Sequence, residues 1–143
     1  MEGDLANLDD LFKAGNRMMG LTHFFDNEVA GCAHGLNKDG LTLLGRQVFK
    51  RMVQHGIVID LGHLSPSAIN DVLSMLSKPL AVSHTGVQRT CLGVINLTDA
   101  QFLKIAENVS VVGLGYWGRV FFDRPPKPFI RATSYVAILI GVA

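Results

Sequence analysis

Four short apolar segments alternate with helix-forming stretches along this chain, and that alternation limits the possible fold more than any other feature. The segments lie at residues 18–22, 57–61, 80–83 and 109–115. Strands separated by helical patterns imply a parallel sheet with helices packed outside it. The strands are apolar on both faces, as such sheets require. A helix is predicted over residues 4–14, where Leu5, Leu8, Leu11 and Phe12 form a stripe and Gly15 provides a stop. A second is predicted over 41–54, closed by His55 and Gly56. Ser65-Pro66 reads as N-cap and first residue of a third helix, which Lys78-Pro79 breaks. Thr98-Asp99-Ala100-Gln101 matches a capping box, and residues 128–140 carry the last helix. The chain is α/β.

Length and composition pull in different directions. The 143 residues are one domain's worth of sequence, yet 48% are hydrophobic and only 17% charged. Composition of this kind suits a closed α/β barrel, which usually takes about 250 residues. The net charge of +1 gives no compositional case for nucleic acid or an anionic membrane surface. No apolar run approaches the roughly 20 residues of a transmembrane helix, and the first residues lack a signal-peptide pattern. Cys32 and Cys91 are far apart with no CxxC spacing, so a reduced, cytoplasmic protein is the default expectation.

The chemistry concentrates at strand ends. His23, His63 and His84 each follow one of the first three strands. In parallel α/β folds the carboxyl ends of the strands share one face, where ligands bind. Three imidazoles converging there supply metal ligands or a general base. His34, within the 17 residues Phe24 to Gly40 that show no period, and His55, at a helix end, read as structural. A loop as long as 24–40 is usually functional or mobile. Asp60 either orients a neighbouring ligand or bonds to backbone amides. Gly113-Leu114-Gly115-Tyr116-Trp117-Gly118 satisfies the dinucleotide pattern G-x-G-x-x-G. The prolines at 125 and 126 oppose the helix that such a loop must open, so a nucleotide-binding domain is the lesser alternative. The sequons at Asn96 and Asn108 carry little weight without a secretory signal.

The histidines and their flanks resemble the membrane dipeptidase (renal dipeptidase-like) family of metallopeptidases, the bacterial branch above all. The similar stretches are Gly20-Leu21-Thr22-His23-Phe24-Phe25-Asp26-Asn27, Gly40-Leu41-Thr42 with Gly45-Arg46, and Gly56-Ile57-Val58-Ile59-Asp60-Leu61-Gly62-His63. Ser83-His84-Thr85-Gly86-Val87 and Asn96-Leu97-Thr98-Asp99 continue in the same order. The resemblance covers nearly the whole chain. It implies a (β/α)8 TIM barrel that binds two zinc ions bridged by a glutamate and cleaves dipeptides. It implies that His63 and His84 are metal ligands of one zinc and that His23 contacts the dipeptide substrate.

Several family features are missing. No His-x-Asp pair precedes the first helix, and Glu2-Gly3 corresponds to a later Glu-Gly rather than to the bridging glutamate. Ile95 replaces an arginine that contacts substrate, Val109-Ser110 stands where Gly-Gly is expected, and the chain stops short of an Asp-Phe-Asp-Gly strand. Residues 1–143 are therefore expected to form a single incomplete barrel domain of about four β/α units, truncated at both ends relative to the family. At most one half-site for zinc is retained, and no catalytic residue is assigned. The chain alone is expected to be inactive or impaired as a dipeptidase. The alternative is a non-catalytic remnant or interaction module. Exposed sheet edges in such a fragment favour homo-oligomers or aggregation.

Overall fold

The computed structural model describes residues 2–116 and 127–142. Among them are five helices: α1 (Ala6–Lys13), α2 (Leu43–His55), α3 (Pro66–Met75), α4 (Asp99–Ala106) and α5 (Lys127–Ile140). The strands are β1 (Met18–Gly20), β2 (Val58–Asp60), β3 (Ala81–Thr85) and β4 (Val111–Leu114). They form one sheet in the order β1-β2-β3-β4, with every neighbouring pair parallel. This is the expected partial barrel: consecutive strands lie side by side, and a helix fills each of the three connections between them.

The local signals act as their chemistry requires. Thr42 caps α2 by accepting from the Gly45 N–H at 3.0 Å, and Gly56 ends that helix at φ 70° in the left-handed region. Ser65 accepts from the Ala68 N–H at 3.0 Å with Pro66 at the first helical position. Thr98 and Gln101 form a reciprocal capping box at the start of α4. β1 and β2 are shorter than expected, and the ends of β3 and β4 shift. β3 runs on to Thr85, so His84 lies inside the strand rather than beyond it. β4 starts only at Val111, because Val109 adopts φ 51° and ends an α4 turn instead.

The core lies between the sheet and the helices. Ile59 and Val82 point into it and meet Leu8, Met52, Val72, Phe102 and Ile105, all essentially buried. Alternate residues along the same strands face the other way. The register aligns Met18 with Val58 and Ala81 with Val111, and Met18, Val58 and Val111 are 46%, 38% and 71% exposed. Both strand faces are apolar, as expected, but among the described residues only one is covered. No helix there is long and apolar enough to cross a membrane.

Candidate metal and substrate site

The carboxyl end of the sheet gathers the histidines. His63 follows β2 by three residues and sits at the centre of the group. Its ring centroid lies 4.6 Å from that of His23, 4.7 Å from His84 and 5.9 Å from His34. The Nε2 atoms of His63 and His84 are 3.0 Å apart. The three histidines singled out from the sequence are thus brought to one place.

Local backbone features make this possible. His63 adopts φ 65°, a left-handed conformation uncommon for a residue with a side chain. Gly62 precedes it, and a Cβ there would stand 3.0 Å from Ser83 Oγ and 3.2 Å from the His84 ring. Only glycine leaves His84 its full approach. Asp60 fixes the two strands at this rim: its Oδ1 accepts from the Gly62 N–H at 2.9 Å and the Ser83 N–H at 2.8 Å. Of its two expected roles, the backbone one is realised. Ser83 Oγ lies 2.8 Å from His84 Nδ1, which orients that ring and leaves Nε2 facing His63. Burial pushes His63 below the ordinary imidazole pKa, and its neighbours His84, His23 and His34 push in the same direction. Its Nδ1 is buried without a hydrogen-bond partner among the described residues.

The donor chemistry fits part of a metal site. Two imidazole nitrogens on a tetrahedral zinc, each about 2.0–2.1 Å from it, stand about 3.3 Å apart. The observed 3.0 Å is close to that spacing. Two donors are half of a tetrahedral shell, and among the described residues no group of three or more His, Cys, Asp or Glu is arranged to hold an ion.

The 24–40 loop is tied down. The Asp26 carboxylate accepts from the N–H groups of Cys32 at 2.7 Å and Asn37 at 2.9 Å, bonds that hold its pKa below the usual carboxylate value. A Cβ on Gly35 would overlap that carboxylate, and one on Gly31 would overlap the backbone of Asp39. Cys32 Sγ donates to the His23 carbonyl at 2.8 Å, and the Ala33 N–H donates to the His63 carbonyl at 2.8 Å. The loop is therefore fastened to the main chain of two site histidines. It presents His34, read as structural from the sequence, at the edge of the cluster. No periodicity marks His34, because its position depends on how the loop folds back.

The other expectations divide. His55 is structural: its Nε2 lies 2.7 Å from Asp9 Oδ1, its ring stacks on Phe12 at 4.5 Å, and Arg51 clasps the same carboxylate. Ile95 packs its side chain against the core, and its carbonyl accepts from Thr85 Oγ1 at 2.7 Å. Gly113 has a packing reason, since a Cβ there would overlap the Ser83 carbonyl of the adjacent strand. Trp117 and Gly118, which complete the G-x-G-x-x-G pattern, lie outside the described residues.

Comparison with known proteins bears directly on this arrangement. A family model described as membrane dipeptidase (peptidase family M19) matches residues 1–133. An uncharacterised dipeptidase of Schizosaccharomyces pombe is 27% identical over 121 residues, covering 82% of this chain and 29% of the relative. An uncharacterised protein of Acinetobacter calcoaceticus is 29% identical over 118 residues, covering 76% of this chain and 36% of the relative. Among solved structures, a metallopeptidase from Rhodobacter sphaeroides bound to a phosphinate mimic of the dipeptide L-Ala-D-Ala superposes with a TM-score of 0.85 at 24% identity. That match covers 97% of this chain and 43% of the other. A probable dipeptidase from Pseudomonas aeruginosa gives a TM-score of 0.77 at 22% identity, covering 98% of this chain and 46% of that one. The chain spans about a third of the length of these curated relatives and under half of these solved structures.

Proposed function

Because this chain belongs to the membrane dipeptidase family, we propose that its histidine rim is the part of a zinc-dependent dipeptidase site that holds one metal ion and contacts the dipeptide. The observation that carries this reading is the facing pair of Nε2 atoms on His63 and His84, 3.0 Å apart at the carboxyl end of the sheet. His63 and His84 would hold the zinc ion. When bound, it would polarise the scissile carbonyl and acidify a water for attack on it. The chain's own contribution is orientation. Ser83 fixes the His84 ring and Asp60 locks β2 to β3 beneath the site. His23, exposed beside His63, would contact the dipeptide.

With two donors among the described residues, the site leaves a zinc ion half-coordinated, so on this reading the chain by itself is an impaired or inactive dipeptidase. The same half-site suits a non-catalytic remnant, and turnover separates the two. A cytoplasmic location belongs to the same reading and draws support from Cys32, a buried cysteine outside any disulfide.

The test is dipeptide hydrolysis by the 143-residue chain with and without zinc, alongside binding of a non-hydrolysable phosphinate dipeptide. Zinc-dependent binding is expected, with turnover weak or absent, and His63→Ala or His84→Ala should abolish both. Binding that persists without zinc, or that survives both substitutions, would contradict the proposal. Sustained turnover that vanishes in His63→Ala would retain the metal reading and overturn the expectation of impairment.

A further inference from the structure

Phe24 is a large apolar side chain left 51% exposed beside the histidine cluster. Its ring meets His23 edge-on at 4.3 Å, meets His63 at 5.2 Å and lies tilted against His34 at 5.8 Å. It therefore bridges the histidine placed against substrate and the histidine placed on the metal. His34 is exposed beside the same ring and 5.9 Å from His63, with no hydrogen bond to its nitrogens among the described residues. The chain next to both rings is tied down. Cys32 and Ala33, immediately before His34, are fastened to the carbonyls of His23 and His63. Nearby carboxylates do not compete for the surface, because Asp26 and Asp60 are both turned into backbone N–H groups.

An exposed aromatic face on a fastened loop gains most when an apolar group covers it. We propose that Phe24 and His34 form the wall that receives a side chain of the dipeptide, so that the site selects an apolar, above all aromatic, residue next to the scissile bond. The inference rests on the dipeptidase reading above. Phe24 supplies the apolar contact. His34 extends the wall beside it, its ring tilted against that of Phe24.

The experiment uses zinc-loaded 143-residue chain and phosphinate pseudodipeptides that carry either a methyl or a benzyl side chain, the benzyl placed at one end or the other. Apolar enlargement in a fitting pocket is worth about 10-fold or more. One benzyl compound should bind at least about 10-fold tighter than its methyl counterpart. Phe24→Ala should bring that ratio close to one while changing affinity for the methyl compound by less than about 3-fold. Phe24→Leu, which keeps an apolar side chain, should retain part of the preference, and His34→Ala should reduce it. Equal binding of methyl and benzyl compounds by the unaltered chain would overturn the wall and leave the dipeptidase reading standing. So would an unchanged preference in Phe24→Ala. If neither compound binds the unaltered chain, the dipeptidase reading fails and the wall fails with it.

Discussion

The two faces of one sheet are finished to different degrees. Val58 and Ile59 are neighbours in β2 with nearly the same side chain, yet one is 38% exposed and the other 3%. Val111 is 71% exposed while the next residue, Val112, packs against the core. The covered face carries helices supplied by this chain. The open face is the one that would line the interior of a barrel. Strand composition therefore records what a sheet is built to bury, and tertiary surroundings decide what it does bury. The contrast explains why 143 residues carry a barrel's composition: both faces are apolar, and these residues cover one.

Substitutions can break this contrast. Phe102→Ala, on the covered side, should cost about 3–5 kcal/mol, measured as a fall in unfolding free energy in urea. A loss under about 1 kcal/mol would mean that the helical side is not the stabilising core. Gly35→Ala drives a Cβ into the Asp26 carboxylate and should cost about 1–3 kcal/mol by overpacking. It should also shift the ring-proton signals of His23, His34 and His63 in NMR spectra, because the loop is fastened to that cluster. Unchanged histidine signals would show that the loop does not position the site.

A smaller effect concerns α1 and α2, where Asp9 is held by Arg51 and His55. Hydrogen bonds from Arg51 and then His55 keep the Asp9 carboxyl well below the usual carboxylate value. A lowered folded pKa stabilises the fold above the unfolded value of about 3.9 and loses that contribution as the pH falls through it. Asp9→Asn should therefore show a flatter decline in stability between about pH 5 and pH 2 than the unaltered chain. Equal slopes would remove Asp9 from the acid transition. The smallest effect is expected on the open face. Val111→Ser should change stability by no more than about 0.5 kcal/mol, yet reduce self-association in sedimentation velocity. A core-sized loss there would show that the inner face is covered after all.

Much of the fold is legible in the sequence because it is written locally. Ser65-Pro66, Thr98 to Gln101 and Gly56 each dictate their own helix ends, and the spacing of apolar segments dictates the parallel sheet. The convergence of His23, His63 and His84 also follows from a general rule about strand ends. What escapes is set by distant contacts. His84 lies within β3 because the strand continues past a register irregularity between Val82 and Thr85. His34 joins the cluster only because Ala33, one residue before it, bonds to the carbonyl of His63. No pattern local to residue 34 encodes that bond. Ile95 illustrates the opposite case, since its lack of a polar side chain is readable at once and the structure adds a packing contact and a backbone hydrogen bond.

The central claim is that His63 and His84 act as a pair toward one metal ion. A zinc titration of the 143-residue chain by calorimetry, repeated on His63→Ala, His84→Ala and His23→Ala, tests it most directly. One weakly bound zinc per chain is expected, lost in either His63→Ala or His84→Ala and retained in His23→Ala. Zinc binding that survives the loss of both His63 and His84, or that depends on His23 instead, would contradict it.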